Sequence, residues 1–200
     1  GVTVVIVGLN RSRGDSCKLY DGDEVRLVRE IGPYLVSDTL AIIQKTTTPI
    51  SDVSPMYLGN MAKDGGNLIM EFHDGRALTT DGSVPERFIR PFYGSEELIH
   101  AKPRACLWIN DDDLDEAESI PAIRRILDNV RHFRELSSAP STRKHANTPH
   151  RFVQLSAKNG ELAIVIPRVS SESRPYLPAD IIRSGPVIGD KCYAIYDSPL

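Results

Sequence analysis

One amphipathic stretch constrains this chain more than any other. From Ser119 to about Leu136, the residues Ile120, Ile123, Ile126, Leu127, Val130 and Phe133 recur at helical spacing, with Pro121 placed for the first turn. A helix with one apolar stripe has to bury it against a second layer. The rest of the chain offers short runs to build that layer. Lys18–Tyr20 and Glu24–Val28 flank the turn Asp21-Gly22-Asp23, and Asn67–Phe72, Ala105–Ile109, Ile181-Ile182 and Lys191–Tyr196 read as further strands. Arg151–Leu155 and Glu161–Ile166 are expected to form a hairpin about Lys158-Asn159-Gly160. Val84–Ile89 reads as a short helix, and Thr39–Lys45 as a strand or short helix. Thr46–Gly66 and Ser137–Pro149 read as loops, the second polar and basic. No strand–helix–strand alternation repeats, so the expected class is α+β: small, mostly antiparallel sheets with a few helices.

Val2–Leu9 is a continuous β-branched run, the pattern of a buried strand. It is too short to span a membrane and lacks the charged start and cleavage pattern of a signal peptide. Cys17, Cys106 and Cys192 stand far apart with no paired spacing, which predicts reduced thiols and a cytoplasmic setting. The chain opens at Gly1 and stops abruptly after Asp197-Ser198-Pro199-Leu200, as a piece of a longer polypeptide would.

Charge is uneven along the chain. Residues 1–120 carry 12 Lys and Arg against 20 Asp and Glu, whereas residues 121–200 carry 12 against 7. This suggests one face that meets phosphate and another that meets something else. Between Arg124 and Arg151 the chain concentrates Arg124, Arg125, Arg131, Arg134, Arg143, Lys144 and Arg151, with His132, His145 and His150. Ser, Thr and Asn interleave over 137–148, which suits hydrogen bonds to phosphate oxygens. A solvated, arginine-rich helix face and loop fits the same composition. A second candidate follows the strand at Ile166. Arg168, Ser170, Ser171 and Arg174 precede the stiff turn Pro175-Tyr176-Leu177-Pro178, which can hold the arginines toward a backbone or base edge, or pair them with Glu172.

Catalytic signatures are missing. There is no serine elbow, no phosphate-binding loop and no dinucleotide fingerprint. Asp64-Gly65-Gly66 reads as a tight turn rather than a phosphate cradle. The acidic run Asp111–Glu118 offers oxygens to a metal-dependent nuclease, but it lacks the glycine and terminal glutamate of an EF-hand loop and reads rather as a solvated helix entrance complementing the helix dipole. A protein-interaction module is the other rival to nucleic-acid binding.

Several segments together resemble a known family. They are Ile31-Gly32-Pro33-Tyr34-Leu35, Pro55-Met56 with Gly59-Asn60, Asp64-Gly65-Gly66, Arg87-Phe88-Ile89-Arg90-Pro91-Phe92 running into Gly94-Ser95-Glu96, Arg104-Ala105-Cys106-Leu107-Trp108, Thr148-Pro149-His150-Arg151-Phe152, and 166–178. In this order they resemble the target recognition domain of single-chain type II restriction–modification enzymes, which fuse an endonuclease, an N6-adenine methyltransferase and a specificity domain. Gly32 departs from the asparagine more usual there. The resemblance implies that residues 1–9 close the methyltransferase sheet and residues 10–200 form the recognition domain. It implies double-stranded DNA and the methyltransferase domain of the same polypeptide as partners. The methyl-transfer tetrad and the S-adenosylmethionine loop are absent here, so it implies no catalytic residue, metal or cofactor in this stretch and S-adenosylmethionine in the parent. The candidate DNA-binding set is Arg124, Arg131, Arg143, Lys144, His150, Arg151, Arg168, Ser170, Ser171, Arg174, Asp190 and Lys191.

Overall fold

The computed structural model describes residues 4–11, 14, 16–37, 42–46, 48, 51–156, 160–171 and 173–198. The chain divides into two units, Gly1–Ile50 and Ser51–Leu200. In the first, β1 (Cys17–Asp21) and β2 (Glu24–Val28) form the expected antiparallel hairpin, with Gly22 at φ 57° in its turn. Val4–Leu9 do not form the expected strand. They carry no regular structure and their large side chains are exposed. A strand needs a neighbour for its amides, and none among the described residues pairs with this run. Residues 2 and 3 lie outside the described residues, as do 39–41 of the predicted element at 39–45; Ile42–Lys45 have no regular structure.

The second unit holds two four-stranded sheets. One has the order β3-β10-β7-β8, where β3 is Tyr57–Leu58, β7 Leu162–Pro167, β8 Asp180–Arg183 and β10 Cys192–Tyr196, all antiparallel. The other has the order β4-β6-β5-β9, where β4 is Ile69–Met70, β5 Ile89–Tyr93, β6 Arg104–Leu107 and β9 Val187–Ile188. Only the β5–β9 pair is parallel. With the hairpin, the described residues hold three small sheets and five α-helices, an α+β fold as the sequence predicts.

Alternation sets the first sheet. Ala163, Val165 and Pro167 of β7 face inward opposite Tyr196, Ala194 and Cys192 of β10, so Tyr196 meets the small Ala163 across the ladder. Ile182, Ile188, Tyr57, Tyr93 and Leu98 complete this core. The expected hairpin partner for β7 is not residues 151–155. Gln154 instead exchanges main-chain bonds with Met61, at 3.1 and 2.9 Å, and β7 pairs with β10 and β8. Lys158 and Asn159 of the proposed turn lie outside the described residues.

The predicted long helix is α4 (Pro121–Glu135), with Pro121 in its first turn. It buries Ile123, Leu127 and Val130 against Leu68, Phe88, Phe92, Cys106, Leu107 and Phe152 of the larger core. Full burial of one such aliphatic side chain contributes about 1.5–3 kcal/mol. Phe133, expected on that stripe, is only part-covered and lies over the Asp64–Gly66 turn, where a Cβ on Gly65 would strike its ring. Helix α3 (Leu114–Ser119) precedes α4, and α5 (Pro140–Arg143) lies inside the predicted loop 137–149. Two helices are absent from the sequence pattern: α1 (Phe72–Thr80), which begins where the strand at Asn67–Phe72 is expected to end, and α2 (Ser95–His100). α1 packs so closely on its sheet that a Cβ at Gly75 would lie 2.5 Å from the Ala105 Cβ. Val84–Ile89 holds a single 3-10 turn, Glu86–Phe88, leading into β5.

Candidate nucleic-acid interface

The end of the β7–β10 pair brings three predicted residues together. β7 ends at Pro167, and the next amide, Arg168, donates to the Lys191 carbonyl at 2.9 Å. The Arg168 guanidinium then donates to the Asp190 carbonyl at 3.1 Å and lies 6.0 Å from the centre of the Tyr193 ring. Arg168 and Lys191 are exposed, and Lys191 has no side-chain partner among the described residues. Ser95 at the start of α2 donates its hydroxyl to the same Lys191 carbonyl at 2.9 Å.

The turn beneath them is held by Asn60, a side chain only 1% exposed. Its Nδ2 donates to the Ile188 carbonyl at 2.9 Å, and its Oδ1 accepts from the Ser156 amide at 2.6 Å. Its main-chain carbonyl accepts from the Asp190 amide at 2.9 Å. Gly59 makes this possible, because any Cβ there would collide with the Gly189 carbonyl. Ser95, Tyr193 and the clamping role of Asn60 escape a sequence reading, which notes Gly59-Asn60 only as a segment. The one available signal is that pairing itself, a glycine beside a short amide in a loop.

Ser171 and Arg174 sit on the exposed connection from β7 to β8. The Ser171 and Ser173 hydroxyls are 2.8 Å apart, and the Arg174 amide donates to the Ser171 carbonyl at 3.1 Å. This local turn leaves the Arg174 guanidinium without a partner among the described residues. Ser170 is half-buried, its hydroxyl enclosed and unpaired. Glu172, the alternative partner for the arginines, lies outside the described residues.

The helical basic set is arranged differently. Arg124 donates to the Glu118 carbonyl at 2.7 Å, Arg131 pairs with Asp128 at 2.6 Å and Arg143 donates to the Ser137 carbonyl at 2.6 Å. All three contacts are at the surface. Lys144 is exposed with no side-chain partner among the described residues. Arg134, grouped by sequence with the exposed arginines, is wholly buried. Its guanidinium donates to five main-chain carbonyls, those of Ala62, Lys63, His145, Thr148 and Arg151, at 2.8–3.0 Å. Burial lowers its pKa, and the Asp64 carboxylate counters in part. It lies at the seventh residue after Leu127, on the buried stripe, so its position in the helix and not its charge decides its surroundings.

His150 and Arg151 are also anchored. Arg151 binds both oxygens of Asp111, and Asp111 Oδ1 lies 2.9 Å from His150 Nε2. His150 is buried, and burial pushes its pKa below the ordinary value, with Arg134 adding to the shift and Glu118 opposing it. The neutral ring therefore donates from Nε2 to Asp111, and Nδ1 is left enclosed without a partner. Both residues line a cleft of about 380 Å³ with Trp108, Asn110, Phe152 and Leu155. Asp111, the first acid of the run, is thus taken up by two basic side chains. Among the described residues no three potential ligands gather in a metal-binding group, and no helix is long and apolar enough to cross a membrane. The Asp64–Gly66 segment is the tight turn expected, its Asp64 carboxylate accepting from the amides of Leu68 and Ile69 at 2.6 and 3.1 Å.

Comparison with known proteins bears on the family and the fold. Residues 37–200 match the family model described as MmeI, target recognition domain. The whole chain is 32% identical to DNA methyltransferase A of Bacillus subtilis (strain 168), of which it spans 23%. The fold is also similar to a type IIL restriction–modification enzyme, MmeI, solved in complex with DNA. The TM-score is 0.82 at 28% identity, covering 93% of this chain and 26% of that one.

Proposed function

Since the chain belongs to the MmeI target recognition domain family, we propose that it reads duplex DNA for a methyltransferase encoded in the same polypeptide. The parent transfers a methyl group from S-adenosylmethionine to the N6 of an adenine flipped out of the duplex, and this domain holds the register. Residues 10–200 form the recognition domain, and in the whole polypeptide residues 1–9, of which 4–9 find no strand neighbour among the described residues, would pair only at the edge of the methyltransferase sheet. The protein works in the cytoplasm.

Two sets of side chains divide the work. Arg124, Arg131, Arg143, Lys144, His150 and Arg151 belong to the region that meets the phosphates, a term sensitive to salt and blind to sequence. Lys144 is its best-placed member, exposed and without a side-chain partner among the described residues, and the exposed Arg143 precedes it in the chain. Arg168, Ser170, Ser171, Arg174, Asp190 and Lys191 belong to the reading end, where an arginine bidentate to guanine discriminates by about 1–3 kcal/mol. The observation that carries this reading is the convergence of Arg168, Asp190 and Lys191 on one clamped turn. A rigid support of that kind suits direct readout, which needs side chains delivered in fixed register.

The test uses the whole polypeptide its gene encodes, with S-adenosylmethionine and a plasmid substrate, and maps the methylated adenines. One short recurrent motif is expected. Arg168→Ala then relaxes a single position of the motif, whereas Arg143→Ala with Lys144→Ala lowers methylation at every site alike. If the two variants behave alike, the division of labour fails; if no adenine is methylated, the reading itself fails.

A further inference from the structure

We propose that one face of the β1–β2 hairpin, formed by Tyr20, Val25 and Leu27, is a docking surface for the methyltransferase body of the same polypeptide. The proposal rests on the reading of this chain as one part of a longer methyltransferase.

The hairpin register defines the face. Lys18 pairs with Leu27 and Tyr20 with Val25, so these four side chains project to one side, while Leu19, Asp21, Glu24 and Arg26 project to the other. The second side has its own partners: Arg26 lies 3.4 Å from Glu24 and 4.0 Å from Asp21. The first side has none among the described residues. Tyr20 is 65% exposed, Val25 52% and Leu27 69%, so two adjacent cross-strand positions present a contiguous apolar surface. A two-stranded sheet is marginal in water by itself, and one that also holds its apolar face to solvent lacks the burial that stabilises larger sheets.

Three observations identify the occupant. Both cores of residues 51–200 are assembled from Tyr57 onward, so that unit completes its interior without the hairpin. The family match begins at residue 37, whereas the match to DNA methyltransferase A takes in the whole chain, hairpin included, within a protein of which this chain is 23%. Residues 1–36 are therefore shared with that methyltransferase but lie outside the recognition-domain model. Lastly, Lys18 is the one cation on the apolar face, which makes it a poor match for phosphate and a good one for an apolar protein surface.

Amide hydrogen exchange over residues 17–28, in the 200-residue chain and in the whole polypeptide its gene encodes, tests the proposal. Exchange should slow at least about tenfold in the whole polypeptide, as it does when an exposed hairpin is covered. The doubly charged variant Tyr20→Asp/Leu27→Asp should restore the fast rates there, while the amides of β7 and β10 stay slow and report that the recognition domain remains folded. Equal rates in the two proteins overturn the proposal. So does slowing in the 200-residue chain that grows with its concentration, which identifies a second copy as the occupant, and so does a gene that encodes nothing more. Motif-specific methylation with an unprotected hairpin sinks this inference alone. A protected hairpin in a protein that methylates no DNA sinks the functional reading and, with it, the methyltransferase as the occupant.

Discussion

The α4–α5 side and the β7–β10 end are both rich in arginine, but they use it in opposite ways. Around α4 most of the cations are tied down, Arg125 and Lys144 being the exceptions among the described residues. Arg134 is wholly enclosed by five carbonyls, Arg151 is clasped by Asp111, and Arg124, Arg131 and Arg143 each have a local acceptor. At the β7–β10 end the main chain is tied down by Asn60 and the strand ladder, Arg168 alone bonds a local carbonyl, and Lys191 and Arg174 extend free of side-chain partners among the described residues. A buried guanidinium organises a fold; an exposed one on a fixed turn can organise something outside it. Counting basic residues per segment does not separate the two.

Arg134→Met is the sharpest way to break the comparison. It takes the guanidinium from five carbonyls, of which those of Ala62, Lys63 and Arg151 have no other donor among the described residues, and the expected loss is about 3–5 kcal/mol, seen as a lowered urea midpoint of the chain. Arg131→Met, on the exposed side of the same helix, should stay within about 0.5 kcal/mol. A similar cost for both would mean that burial is not what distinguishes them. Asp111→Asn comes next, because it removes the charge from a carboxylate whose Oδ1 accepts from both Arg151 and His150 and whose Oδ2 accepts from Arg151; about 1–3 kcal/mol of stability should be lost in the same assay.

At the other end the same changes should spare stability and alter recognition. Arg168→Ala is expected to keep the wild-type urea midpoint while losing about 1–3 kcal/mol of discrimination at one base pair, measured by competition between duplexes differing there. Removing Arg143 and Lys144 should instead reduce the slope of log affinity against log salt by about 0.9 for each phosphate no longer neutralised, equally for all duplexes. The smallest effect concerns pH. The unfolded imidazole of His150 takes up its proton around 6.5 and the folded one at lower pH. Between those values the unfolded state holds more protons, so stability falls as pH falls through that window and the contribution is fully present above it. His150→Gln should flatten that limb of the stability profile.

Legibility in the sequence depends on whether a residue's role is local. α4, the β1–β2 hairpin, β7 and β10 are readable because periodicity and turn residues act within a few positions. α1 is not, since Gly75 in its middle argues against a helix until Ala105 is seen to need the space. Proximity in sequence points residues 151–155 to β7 as a partner strand, but Gln154 bonds Met61 far back in the chain. Among the candidate site residues, Arg168 with Asp190 and Lys191 come together as a strand-and-turn pattern allows. Arg134 misleads, because its charge places it with the surface arginines while its helical phase places it in the core. Asn60 and Asp111 act on residues 96 and 39–40 positions away, a reach no local pattern encodes.

The five carbonyls held by Arg134 belong to three separate stretches, at residues 62–63, 145–148 and 151. Much of the connection from α4 to Phe152 is turn, with only α5 as regular structure, and it offers trypsin Arg143, Lys144 and Arg151. Such a segment ordinarily frays and is cut. Here it cannot open without uncoupling a guanidinium that also holds Ala62 and Lys63, so the segment borrows the cooperativity of the core. The chain therefore gains resistance to nicking in this basic connection, and one side chain supplies it.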